Sequence, residues 1–299
     1  MIVLDENRPR GIIWIASYPR SGNTWTRAFI NALNGVMRDA DTADVDINRI
    51  EEGGGVENAA ALYPRFLGKP VALASEAEIA AARPRVQVAL AESAGRPIYL
   101  KTHNANGVDF GNPLINPSAT AGAIYIVRNP LDVAISYAAF SNTTIDKVIE
   151  RMATPGWGIR RSVEKGHERV RVISGSWSEN VASWTDRPNP AFLAVRYEDM
   201  IEKPEGTFAR IARHILLKPT REQLRQAIAL TDFNRLRAKE SEQGFVEKPE
   251  AAASFFRSGR SGQWQDELTD EQVARIVKAH RPLMRKFGYM PDRKGSRSG

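Results

Sequence analysis

The segment Gly11-Ile-Ile-Trp-Ile-Ala-Ser-Tyr-Pro-Arg-Ser-Gly-Asn-Thr-Trp-Thr-Arg-Ala-Phe-Ile30 constrains the chain more than any other. Ile12 to Ala16 is short, apolar and rich in β-branched side chains, which suits a buried parallel strand. After a loop of small residues, Trp25, Ala28, Phe29, Ala32 and Leu33 recur at helical spacing up to Asn34-Gly35, a helix-stop signal. Strand, tight loop and helix are therefore predicted in that order. In such a joint the loop N–H groups and the helix N-terminus converge on one point and favour an anion. Ser21, Gly22, Asn23 and Thr24 are small enough for phosphate oxygens to approach the backbone, and Arg20 adds a positive charge.

The loop departs from the nucleotide-triphosphate pattern G-x-x-x-x-G-K-[ST] in an informative way. Over Ser17 to Thr24 the first Gly is Ser17, Gly22 is kept, and Asn23 stands where the Lys belongs. The cation has moved inside the loop as Arg20, behind Pro19. A second departure lies further on. The run Gly122-Ala-Ile-Tyr-Ile-Val-Arg128 is predicted as a strand, and it ends in a cation where a magnesium-dependent phosphoryl-transfer enzyme places an acid. Asn129-Pro130 and Asp132 then suit the start of a helix over Leu131 to Phe140, with Ser136 placed to join Arg128 on one anionic group.

Between these elements, Pro97-Ile-Tyr-Leu-Lys-Thr-His103 reads as a strand whose end carries Lys101 and His103. Strand ends line the ligand crevice of an open α/β sheet. A neutral imidazole there is a natural general base for a hydroxyl group. Ala191 to Asp199 is predicted as a fourth strand, with helices at about 205–216 and 221–230. Strand and helix alternate, so the expected fold is α/β: a single domain over residues 1–299 with a central parallel sheet covered by helices on both faces. The core is expected at about 11–288, with 289–299 as a flexible basic tail.

Other segments are less telling. Residues 36–96 hold a loop signal at Glu51-Glu-Gly-Gly-Gly55 and weak helical patterns at 75–82 and 83–94. The pattern weakens over 141–171, where Arg160, Arg161, Lys165 and Arg169 are scattered charges. Residues 244–262 read as a long loop, of a kind that often serves as a lid, closing with Phe255-Phe-Arg-Ser-Gly-Arg-Ser-Gly262, whose Gly and Arg residues can wrap an anion. Thr269-Asp-Glu-Gln272 is a capping box that opens the last helix.

Composition narrows the chemistry. The chain of 299 residues has no cysteine, which excludes disulfides, thiol nucleophiles and Cys-based metal sites, and its four histidines form no short-spaced ligand pair. No metal is expected. The net charge of +7 suits nucleic acid or a small polyanion in a basic cleft. The first ten residues carry acids where a secretory signal has a basic start, and no apolar run approaches membrane-spanning length. A cytoplasmic protein with no membrane span is expected.

Five segments in order resemble the cytosolic-type sulfotransferases that use 3′-phosphoadenosine-5′-phosphosulfate (PAPS). Tyr18-Pro-Arg-Ser-Gly-Asn-Thr-Trp25 resembles their 5′-phosphosulfate loop, and Lys101-Thr-His103 their catalytic strand end. Arg128-Asn-Pro-Leu-Asp-Val-Ala-Ile-Ser136 is similar to the 3′-phosphate segment. Arg196-Tyr-Glu-Asp199 and Thr231-Asp-Phe233 stand where the family contacts adenine, and Phe256-Arg-Ser-Gly259 with Gly262-Gln-Trp264 resembles its closing loop. The resemblance implies a P-loop-kinase-like sulfotransferase fold, PAPS as donor with 3′,5′-adenosine bisphosphate (PAP) as product, and a small-molecule acceptor. It implies Arg20, Ser21, Gly22, Asn23 and Thr24 around the 5′-phosphosulfate. Arg128, Ser136, Arg257 and Gly259 would hold the 3′-phosphate, and Trp25, Tyr197, Thr231 and Phe233 the adenine. His103 would be the base, with Lys101 and Arg20 stabilising charge.

Several positions depart from the family pattern. Arg20 replaces the usual Lys, Ser258 the Lys of Arg-Lys-Gly, and Asn104-Ala105 the usual Leu-Pro after the His. Gln265 to Thr269 does not match the family's dimer motif, so that dimer is not implied. The alternatives are a P-loop-like nucleotide kinase and a non-catalytic anion or nucleic-acid binder. The first lacks its Lys at 23 and its acid at 128, and the second leaves Lys101-Thr-His103 unexplained.

Overall fold

The computed structural model describes residues 10–39, 44–50, 55–162, 168–250 and 252–291. Most of the amino-terminal decapeptide, the glycine run at 51–54, Lys165, His167 and the tail from 292 onward lie outside the described residues.

Four strands, β1 (Ile12–Ser17), β2 (Ile98–Thr102), β3 (Thr120–Val127) and β4 (Phe192–Arg196), form one parallel sheet in the order β2-β1-β3-β4. β1 therefore lies between β2 and β3, with Ala16 beside Thr102 on one side and Tyr125 on the other. All six β1 residues are buried. A strand covered on both faces has no need of polar alternation, which is why Ile12 to Ala16 reads as an unbroken apolar run.

Each face of the sheet has its own core. Ile13, Ile15, Ile124, Ile126 and Val195 pack under helix α1 (Asn23–Arg38), among others. Ile12, Trp14, Ala16, Tyr125 and Val127 face the opposite layer. That layer includes α3 (Pro130–Phe140), α4 (Ile145–Ala153), α5 (Trp177–Thr185) and α10 (Asp270–Lys286), and α2 (Glu76–Ser93) precedes them in the chain. Between them come α6 (Tyr197–Glu202), α7 (Pro204–His214), α8 (Arg221–Leu230) and α9 (Phe233–Gln243). The predicted α/β class, with helices on both faces of a parallel sheet, is what the chain adopts. Among the described residues no helix is long and apolar enough to cross a membrane.

Local expectations fail where tertiary packing outweighs local signals. α1 runs through Asn34-Gly35 to Arg38, because Val36 is buried in the core beyond the glycine. The two weak patterns at 75–82 and 83–94 are one helix, α2, which starts at a Ser75–Glu78 capping box and continues through Pro84. Burial of Ile79, Ala82 and Val86 supports it across the hydrogen bond that the proline removes. The fourth strand stops at Arg196, and Tyr197 opens α6 instead of ending the strand. α4, within the stretch of weak pattern, is held by a Thr144 cap and by buried Val148, Ile149 and Met152. The capping box at Thr269 starts α10 as expected.

Candidate active site

The loop after β1 is built to leave its anion-facing groups open. Gly22 precedes α1 with φ of 101°, and no side chain caps the helix. A Cβ on Gly22 would lie 2.7 Å from the Tyr197 ring, so glycine is required for both backbone conformation and close approach. The hydroxyl of Ser21 is buried without a hydrogen-bond partner. Buried polar atoms are normally paired, and an orphan hydroxyl in an uncapped helix entry fits a phosphate or sulfate oxygen.

Asn23, at the position of the kinase Lys, turns its side chain away from the cradle. Its Nδ2 donates to the Ile15 carbonyl at 2.7 Å, and its Oδ1 accepts from Arg27 Nε at 3.0 Å. The side chain braces loop to strand.

Arg20 has φ of 65°, unusual for a side-chain-bearing residue, which directs its guanidinium across the cleft. Nη2 donates to the Phe255 carbonyl at 2.7 Å and Nε to the Ser136 hydroxyl at 3.3 Å. The group lies 4.6 Å from the Phe140 ring centre and 4.4 Å from that of Phe255. Burial, with Arg128 nearby, brings its pKa down to about 10, and it remains a cation at neutral pH. Ser136 accepts from Arg20 and lines the same cavity as Arg128.

Arg128 follows directly on β3 and is buried. Its Nη1 donates to the Arg20 carbonyl at 3.0 Å and its Nη2 to the Arg260 carbonyl at 3.2 Å, while Nε is buried without a partner. The guanidinium sits 4.3 Å from the Tyr197 ring centre. Trp25 packs edge-on against Tyr197 at 5.9 Å, and its indole N–H donates to the Thr231 carbonyl at 2.8 Å. Phe233 lies against Gly259, whose φ is 62° and where a Cβ would come within 2.3 Å of the ring.

His103 sits just past the end of β2. Nδ1 lies 2.8 Å from the Ser17 carbonyl oxygen, which can only accept, so Nδ1 carries the proton and Nε2 has a free lone pair. Burial, reinforced by the Lys101 ammonium, brings the His103 pKa down to about 3 and keeps the ring neutral.

These groups surround one cavity of about 270 Å³. Every residue expected around the donor lines it except Thr231, which is fully buried and bonds the Ala227 carbonyl. The Thr231 carbonyl accepts from the Trp25 indole, which does line the cavity. A second cavity, about 730 Å³, adjoins the first at Lys101, His103, Ile159 and Glu247. Its walls include Val56, Val170, Arg169 and Lys248.

Sequence reasoning missed the acids that organise the closing loop. Glu240 accepts from the Phe255 and Phe256 N–H groups at 2.6 and 2.8 Å, and Asp132 from those of Gly262 and Trp264 at 2.7 and 3.1 Å. Glu247 accepts from Lys101 at 2.6 Å and Arg27 at 2.7 Å. Asp132 stood out only as a helix-start acid, and nothing local marks the other two.

Comparisons with known proteins bear on the family and the fold. Flavonol 3-sulfotransferase of Flaveria bidentis is 23% identical over 279 residues, covering 89% of this chain and 79% of that protein. Sulfotransferase 2A6 of Rattus norvegicus is 28% identical over 176 residues, 57% of this chain and 59% of the rat protein, so that match spans less than two thirds of the relative. In fold, the chain is similar to retinol dehydratase in complex with androsterone and inactive cofactor PAP, with a TM-score of 0.61 at 19% identity over 93% of this chain and 82% of that one. It is also similar to mouse sulfotransferase SULT7A1 complexed with PAP, with a TM-score of 0.56 at 20% identity over 92% and 85% of the two chains. The family model described as the sulfotransferase domain matches residues 11–288, and the chain belongs to the sulfotransferase family.

Proposed function

We propose that residues 11–288 work as one domain that transfers a sulfuryl group from PAPS to a hydroxyl or amine of a small-molecule acceptor, with His103 as the general base. The observation that carries this reading is the position of His103, neutral with Nε2 unprotonated, where the two cavities meet beside Lys101. The orphan Ser21 hydroxyl, the uncapped α1 entry and Arg20 fit the 5′-phosphosulfate. Arg128, with its unpartnered Nε, and Arg257 fit the 3′-phosphate, and Trp25, Tyr197 and Phe233 form a slot for adenine.

In the reaction the acceptor oxygen forms a bond to sulfur as the bond from sulfur to the phosphate oxygen breaks. The acceptor proton passes to His103 Nε2, and the electron pair of the broken bond stays on the phosphate, near Arg20. Charge spreads over peripheral and bridging oxygens, so positioning and fixed cations provide most of the rate enhancement. Lys101 supports charge at the junction of the cavities.

Thermal shift tests the donor. Stabilisation by PAP and none by ATP with magnesium is the expected result, and the reverse favours a nucleotide kinase. An acceptor screen with mass detection of an added sulfuryl group then identifies the second substrate.

A further inference from the structure

Glu247 is an anion in a cavity otherwise furnished for anions. It belongs to the connection between α9 and the short helix Trp264–Glu267, and it lines both cavities. Its Oε2 accepts from Lys101 Nζ at 2.6 Å, and its two oxygens accept from Arg27 Nη2 at 2.7 and 2.9 Å. The Glu247 side chain is 12% exposed, against 5% for Arg27 and 20% for Lys101. Burial alone would raise its pKa, but Lys101 and Arg27 outweigh burial and hold it well below the usual carboxylate range. The group is a permanent negative charge on the wall that a polyanionic donor must approach.

The two cations differ in what else they serve. Arg27 is tied into α1, donating to Asn23 and Thr24 as well as to Glu247. Lys101 stands beside His103 where both cavities open, and it lines both, whereas Arg27 lines neither.

We infer that the Glu247 carboxylate and the sulfuryl group of the donor compete for the Lys101 ammonium, with Glu247 remaining on Arg27 when Lys101 changes partner. The inference rests on the donor reading above. It makes Glu247 a positioning residue that acts through Lys101: it fixes the ammonium at the cavity junction and sets the electrostatic cost of engaging the sulfuryl oxygens. Its sign is opposite to that of a purely structural clasp. The same connection carries Arg257 and Gly259, so if Glu247 only held this segment in place, neutralising it would loosen the segment and weaken donor binding.

The test is calorimetric titration of PAPS and of PAP, without acceptor, into the native protein, Glu247→Gln, Lys101→Gln and the double variant. Glu247→Gln is expected to bind PAPS roughly three- to thirtyfold more tightly, the scale of one nearby screened charge, and to gain less for PAP, which has no sulfuryl group. In the Lys101→Gln background the extra gain for PAPS is expected to disappear. Glu247→Asp keeps the charge and draws it back from Lys101, so a smaller gain in the same direction is expected; this variant carries the test if Glu247→Gln does not fold. Unchanged or weaker PAPS binding, an equal gain for PAP, or a gain that persists without Lys101 overturns the inference. A native protein that binds neither nucleotide overturns the donor reading itself.

Discussion

His103 donates its Nδ1–H to the Ser17 carbonyl oxygen at 2.8 Å, so the last residue of β1 sets the tautomer of a ring carried on the end of β2. One backbone oxygen of the central strand thereby frees Nε2 to take a proton. His103→Ala is expected to lower turnover roughly 10²- to 10⁴-fold, the usual worth of a general base, with PAP affinity nearly unchanged. Single-turnover assays beside PAP titration check this, and near-normal turnover would remove His103 from the mechanism.

The same ring makes stability depend on pH. Its pKa falls from the ordinary 6.5 to about 3 on folding, so between these values the unfolded chain takes up a proton that the native state refuses. The stability linked to His103 is therefore complete above about pH 6.5 and declines as pH falls toward 3. Denaturant titrations at pH 5 and pH 7.5 are expected to show a steeper loss for the native protein than for His103→Gln.

Arg128 links the loop after β1 to the segment 255–264 through the carbonyls of Arg20 and Arg260. Arg128→Ala is expected to weaken PAP binding by about 1.5 to 3 kcal/mol, the scale of a charge-assisted hydrogen bond, and AMP binding much less. Equal affinity of the native protein for PAP and AMP would contradict a 3′-phosphate role.

Gly259 and Gly262 both have positive φ, but only Gly259 abuts a ring. Gly259→Ala is expected to displace Phe233 and weaken nucleotide binding well beyond Gly262→Ala, whose Cβ would meet nothing nearer than Gln265 at 3.8 Å. Both variants incur roughly the same backbone strain, about 1 to 3 kcal/mol, so titration of the pair isolates the ring contact.

The parts of the fold written in local chemistry were legible in the sequence. Ile12 to Ala16 reads as a doubly buried strand, and the loop, Lys101-Thr-His103 and Arg128 each announce themselves by residue type at a strand end. α9 does not, because it buries only Leu236 and Glu240 and shows almost no apolar periodicity. Thr231 shows a related limit of spacing along the chain, which does not say whether a side chain or a carbonyl faces the cavity; here the carbonyl accepts from Trp25. Glu247 and Asp132 lie more than a hundred residues along the chain from the groups they hold, so those pairings exist only in the folded chain, and Glu240 reaches 15 residues ahead to Phe255 with no local pattern to mark it.

Glu240 and Asp132 bind backbone N–H groups on either side of Arg257 and Gly259, and both acids sit on helices rather than in the loop. The segment 255–264 is therefore buckled to the scaffold at two points, while residues 248–250, which wall the second cavity, lie outside the buckle. The two segments are thus held independently of each other. If the proposed reaction runs with the acceptor in the second cavity, exchanging the outer residues is expected to change acceptor preference and leave PAP affinity unchanged.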